Sequence, residues 1–303
     1  MAGRDVRAGR ILIAVAGVFW GSSGIFGKYL MDGGVSVEWI AFLRIFIGAL
    51  ALTTFTARRS PGLLRLDRRA VGMTLAAGLI SQAIFNICYY GAVQRVGVGP
   101  AAVLLYSAPF FLLVWSVLFF REKPTLLKIA AVLLCFTGCL VAVTEGDITV
   151  FSGSLEGILL GLASAVAYSL MSVFSKFTLE RTAPVTVVIY SFLFGAAFLL
   201  PYALWKGSLP GVFDPMLAVW ALAMGILPAA LSYRLYMEGI CKGVPLSEAG
   251  VISTLEMISA VVLAWLIFRE PLGPVRLAGV AVILVSIVMM NLPWRKGAAD
   301  EGC

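Results

Sequence analysis

The chain contains no histidine. That absence removes histidine metal sites, histidine general bases and histidine proton relays together. Charged residues are also scarce, at 13% of 303 residues, where soluble domains run near about a quarter. Too few charges remain to coat a water-facing surface of that size. No G-x-x-x-x-G-K-[ST] run occurs, so the chain has no phosphate-binding loop with which to spend ATP. The five cysteines, Cys88, Cys135, Cys139, Cys241 and Cys303, form no C-x-x-C pair. Cys135 and Cys139 lie one helical turn apart in an apolar run and read as small packing residues. No cofactor and no metal is expected.

What is present is apolar. Hydrophobic residues make up 61% of the chain, and they fall in runs close to the roughly 20 residues that a helix needs to cross a bilayer. Spans are expected at roughly 11–30, 38–57, 70–91, 100–120, 125–144, 156–176, 184–204, 216–238, 247–268 and 273–292. The fold class is therefore an all-α polytopic membrane protein with ten transmembrane helices and short loops. The N-terminal stretch MAGRDVRAGR is basic and has no small-residue cleavage site before the next span, so the first run reads as a span rather than a removed signal.

The net charge of +7 serves topology better than nucleic acid. With the N-terminus in the cytoplasm, sixteen basic residues fall inside, from Arg4, Arg7 and Arg10 through Lys176 and Arg181 to Arg295 and Lys296. Four, Arg95, Lys206, Arg269 and Arg276, fall outside. Basic residues concentrate in cytoplasmic loops, so both termini are expected there.

A shift of 148 residues aligns the chain with itself. Phe26 and Lys28 fall on Phe174 and Lys176, Gly91 on Gly239, and Phe120-Arg121-Glu122 on Phe268-Arg269-Glu270. The expected units are repeat 1 over 8–145 and repeat 2 over 156–294. Five spans is an odd number, so the second repeat enters the membrane in the opposite sense. Inverted repeats of this kind recur in secondary transporters, with the substrate site near the midplane between the halves.

Polar residues inside the spans are few, and a charge near the bilayer centre costs about 2.5–3.5 kcal/mol on insertion scales. They are the candidates for the site. Span one carries WGSSGIFGK at 20–28, and Tyr168 takes the register of Trp20. Gly21, Ser22, Ser23, Gly24 and Gly27, like Ser169, Ser172 and Ser175 in span six, allow close helix approach. Trp20 and Tyr168 suit a cavity wall. Lys28 and Lys176 either snorkel to headgroups or gate the pathway. Arg44 stands in span two with no visible carboxylate partner. Gln82, Asn86 and Tyr89 or Tyr90 share one face of span three by helical spacing. Span four offers Tyr106 and Ser107 beside Pro109, a kink and candidate hinge. Span eight carries Tyr233 and Arg234, the latter either pairing with Glu238 four residues on or pointing to the centre from the register of Asn86. Glu256, the deepest acid, offers an anchor for a substrate ammonium or a carrier for a coupling proton.

The doubled five-span layout, with WGSS and Lys28 in span one, Arg44 in span two, Pro109 in span four and the Arg121-Glu122 and Arg269-Glu270 closures, resembles the ten-helix EamA-type transporters of the drug/metabolite transporter superfamily. Span nine reads Leu255-Glu256-Met257 where that family often has L-E-P, so the acid is kept and the proline is lost. The resemblance implies export of small metabolites across a bacterial cell inner membrane, and among members the chain looks most like the YddG-type exporters of aromatic amino acids. The expected function is a secondary transporter working by alternating access, with a small-molecule substrate and the lipid bilayer as partners. A homodimer is compatible and not required. Export of other neutral or cationic metabolites or drugs is the alternative. An intramembrane lipid-modifying enzyme is a distant one, since neither a histidine nor a cluster of acids is there to serve it.

Overall fold

The computed structural model describes residues 5–123, 125–147, 149, 154–179, 182–210, 214–269 and 272–291. Arg4, Arg181, Glu270, Arg295, Lys296 and Cys303, and the end of repeat 2 beyond residue 291, lie outside the described residues. Among the described residues, nine helices are long and apolar enough to cross a membrane, and a tenth is shorter. In chain order they are α1 (Val6–Asp32), α2 (Val37–Arg59), α3 (Arg68–Val96), α4 (Val98–Phe120), α5 (Leu126–Thr144), α6 (Leu155–Leu179), α7 (Pro184–Lys206), α8 (Pro215–Cys241), α9 (Leu246–Phe268) and α10 (Pro274–Asn291). In lipid a chain must satisfy its backbone internally, and helices do so.

Local chemistry sets the ends. The side chains of Asp5, Asp67, Thr125 and Asp214 accept from backbone N–H groups of the first turns of α1, α3, α5 and α8. Pro184 and Pro215 open α7 and α8, where a missing N–H costs nothing. Gly97, at φ 86°, supplies the reversal between α3 and α4. Arg121 and Arg269 end α4 and α9 in the left-handed region, at φ 51° and 56°. These two stops are 148 residues apart.

Backbone irregularities repeat at the same offset. α3 is π-helical from Ala77 to Ile84, and α8 from Gly225 to Leu231. α4 breaks at Tyr106–Ser107, and α9 breaks at Thr254. α1 breaks at Ser22, whereas its counterpart α6 runs unbroken. Each break carries a hydroxyl that donates to the carbonyl three residues back: Ser22 to Phe19, Ser107 to Leu104 and Thr254 to Val251, each at 2.6 Å. Such back-bonding competes with the helix ladder, although Ser164 and Ser169 make the same bond in unbroken α6. α9 breaks without a proline at Met257.

The repeats interlock. α1 packs on α8 and α9, and by the same symmetry α6 packs on α3 and α4; α2 lies on α7, and α5 on α10. Glycines bring the backbones together. A Cβ at Gly21 would sit 2.6 Å from the Glu256 carbonyl oxygen in α9, and one at Gly138 would sit 2.9 Å from the Gly279 carbonyl oxygen in α10. Cys135 and Cys139 are fully buried in the α5–α10 seam.

Candidate functional site

A cavity of about 280 Å³ lies between the repeats, walled by α1, α2, α3, α4, α6, α8 and α9. Met31, Val37, Val93 and Val98 mark its mouth, at the ends of α1 to α4 that share one membrane face. Its walls are aromatic. Trp20 meets Tyr233 edge-on at 5.2 Å and Tyr168 at 6.5 Å, Tyr168 meets Phe85 at 5.6 Å, and Phe85 stacks on Tyr89 at 5.9 Å. Two charges enter it, Arg44 from α2 and Glu256 from α9.

Of the residues singled out from sequence, Trp20, Ser23, Arg44, Asn86, Tyr90, Tyr106, Tyr168, Tyr233 and Glu256 line this cavity, and both Tyr89 and Tyr90 reach it. Gln82 does not. It is buried against α6, its Nε2 3.5 Å from the Met171 sulfur. The i, i+4 spacing that aligned Gln82 with Asn86 presumes an α-helix, and the wider π turn ending at Ile84 interrupts it. Asn86 instead donates from Nδ2 to the Gln82 carbonyl at 2.5 Å, which leaves its Oδ1 facing Arg44 Nη2 at 3.4 Å. Ser107 is also buried, its hydroxyl spent on the helix break. Pro109 lies in the first turn of the second segment of α4, Ala108–Phe120, beside a void of about 20 Å³ between the breaks of α4 and α9.

Arg234 stays outside the cavity and pairs with Glu238 at 2.8 Å. Lys28 is exposed over the Phe268 ring at 5.2 Å. Lys176 lies over the Phe120 ring at 4.0 Å, the same pairing at the opposite membrane face. Gly24 and Gly27 do not serve helix approach as Gly21 does. A Cβ on either would meet nothing within 4 Å, because their faces open to the cavity.

The face opposite the mouth is closed. Glu122, just beyond α4, accepts from the Leu246 backbone N–H at 3.2 Å, the Ser247 hydroxyl at 3.0 Å and Lys176 at 3.3 Å. Lys128 stands 3.8 Å from its other oxygen. Arg10 pairs with Glu248 at 2.6 Å beside it. One carboxylate thus ties the end of α4 to α5, α6 and α9. Sequence reasoning missed Glu122 as a hub because all its partners but Lys128 lie 54 to 125 residues away.

The model of the EamA-like transporter family matches residues 7–144 and 155–292, one copy on each repeat. The chain belongs to the EamA-like transporter family. An uncharacterized transporter of Archaeoglobus fulgidus is 29% identical over 97% of this chain and 98% of its own length. The uncharacterized inner membrane transporter YicL of Salmonella typhimurium is 24% identical, with the same coverage of both chains. The uncharacterized transporter YetK of Bacillus subtilis is 23% identical over 96% of this chain and 90% of its own. One solved crystal structure superposes with a TM-score of 0.79 at 19% identity, covering 94% of this chain and 96% of that one, which speaks for the fold. The protein is a multi-pass membrane transporter of this two-repeat family.

Proposed function

We propose that this EamA-family protein is a secondary transporter that exports small metabolites, amino acids and aromatic ones first among them, by alternating access. The observation that carries the reading is one cavity between interlocked inverted repeats, open at one face and closed at the other by the Glu122 contacts. A continuous pore would be open at both faces. A carrier exposes its site to one side at a time, by rocking one half against the other.

Charge bias supplies the sidedness. With sixteen basic residues on one side and four on the other, the face closed by Glu122 is cytoplasmic and the mouth opens away from the cytoplasm of a bacterial inner membrane. The state described is then outward-open. The aromatic lining supports a planar or apolar side chain, and Glu256 is the candidate to hold a substrate ammonium or to carry a coupling proton. An aromatic wall beside an acid also suits an organic cation, so cationic metabolites or drugs are the second reading.

The test is counterflow in liposomes holding the purified protein, with labelled Phe, Trp, Thr and a bulky organic cation. Saturable exchange of the aromatic amino acids, lost in Trp20→Ala and Glu256→Gln, is the expected result. Exchange of the cation alone would transfer the protein to the second reading. Free passage without saturation would remove it from the carriers.

A further inference from the structure

The backbones of the two repeats match at the cavity, and the charges do not. Under the 148-residue shift Arg44 corresponds to Phe192 and Glu256 to Ala108. Repeat 1 therefore contributes the cation and repeat 2 the anion. Among the described residues neither has an ion-pair partner, and they do not pair with each other. Arg44 has one long hydrogen bond, 3.4 Å to Asn86, and its buried Nε has no acceptor. The Trp20 indole N–H, 4% exposed at the same cavity, also has no acceptor. Other charged groups near the cavity's closed end are matched: Glu122 has its lysines and Glu248 has Arg10.

Each is positioned from its own repeat. Asn86 fixes Arg44 on the α3 side, itself tied to the Gln82 carbonyl beside the π turn. Glu256 sits in the first turn after the α9 break, where Gly21 locks α1 against it. A guanidinium and a carboxyl group, unpaired and facing one small cavity, are complementary to a ligand that carries both signs within a few bonds.

We infer that Arg44 and Glu256 are the two ends of a clamp for a free α-amino acid, the carboxylate on Arg44 and the ammonium on Glu256, with the side chain against the Trp20–Tyr168–Tyr233 wall. A guanidinium takes a carboxylate by two parallel N–H···O bonds, and the orphaned Arg44 Nε and Trp20 N–H are donors of the kind such a carboxylate accepts from. A ligand with one charge leaves the opposite end of the clamp unpaired in a buried site, which is the penalty that gives polar sites their discrimination. The inference rests on the carrier reading for its biological sense and deepens it by naming the headgroup.

The test is binding to the purified protein in detergent, read by titration calorimetry, with Phe, Leu and Thr and with the ammonium-only and carboxylate-only analogues of Phe, phenethylamine and 3-phenylpropionate. The expected result is that Phe binds at least about tenfold more tightly than either analogue. Arg44→Gln should erase the preference over phenethylamine and keep that over 3-phenylpropionate. Glu256→Gln should do the reverse. Equal binding of Phe and phenethylamine by the unaltered protein, or no binding of any of the three amino acids, overturns the clamp without reliance on any variant's folding. A protein that binds Phe in this pattern and yet shows no counterflow would retain the clamp and lose the carrier reading. Saturable counterflow of another solute with no amino-acid binding would do the opposite.

Discussion

Val98 and Leu246 occupy the same place in their repeats, the first residue of α4 and of α9. Val98 is 64% exposed at the cavity mouth, and Leu246 is 0% exposed under Glu122. Two copies of one architecture thus adopt opposite states in the same molecule. Repetition of the stops at Arg121 and Arg269, of the π turns and of the breaks in α4 and α9 gives both copies the same joints. What differs is which end is closed and which side chains carry charge. On the proposed carrier reading the shared joints serve the rocking of the two halves, and the unshared Arg44 and Glu256 serve the ligand.

The comparison breaks first at α1. Gly21→Ala forces a Cβ to within 2.6 Å of the Glu256 carbonyl oxygen and 2.5 Å of the Ser259 Cβ. Overpacking of this kind costs about 1–3 kcal/mol, so thermal unfolding in detergent should fall by several degrees. Gly24→Ala, one turn on, meets nothing within 4 Å and should leave stability unchanged. Gly24→Leu should keep the protein folded and block counterflow by filling the cavity. Equal destabilisation at Gly21 and Gly24 would refute the separation of a packing face from a cavity face.

Glu122→Gln weakens the closed end alone. The charged contacts to Lys176 and Lys128 are lost, while the amide oxygen can still accept from the Leu246 N–H and the amide NH2 can donate to the Ser247 hydroxyl. Hydrogen bonds to a charged group are worth about 2 kcal/mol, enough to shift the balance of states about 30-fold. Stability should hardly move, and the conformational balance should. Lys176→Ala should act in the same direction. Lys28→Ala, which removes an exposed cation over Phe268, should cost less than about 1 kcal/mol and leave the closed end as it is. Arg234→Ala should do least. Its partner Glu238 is a neighbour on the same helix and both are about one-third exposed, so a loss near 0.5 kcal/mol with intact transport is expected.

The sequence carries the ten spans, because bilayer thickness leaves its mark on hydropathy, and it carries the repeat, because the offset holds without a gap. Span ends shift by a few residues: the first runs from Val6 to Asp32 rather than 11 to 30, since Asp5 caps it outside the apolar run. Most of the polar and aromatic residues singled out in the spans do face one cavity. Gln82 fell out of line because nothing in AGLISQAI announces a π turn. The α9 break falls at Thr254 without the proline, and the Thr254 hydroxyl bond is no local signal, since Ser164 and Ser169 make the same bond in unbroken α6. Gly21 and Gly24 look alike in sequence, and only the position of α9 tells them apart. Glu122 as a hub depends on contacts across the chain, which no local pattern records.

The most direct test of the central claim is thiol labelling of Val98→Cys and of Leu246→Cys, in a protein whose five native cysteines are replaced. At rest, Val98→Cys should react and Leu246→Cys should not. With Glu122→Gln added, Leu246→Cys should become reactive as Val98→Cys becomes protected, one gain matching the other. Reactivity appearing at Leu246→Cys with Val98→Cys unchanged would mean a passage open at both ends, and would contradict alternation between the two repeats.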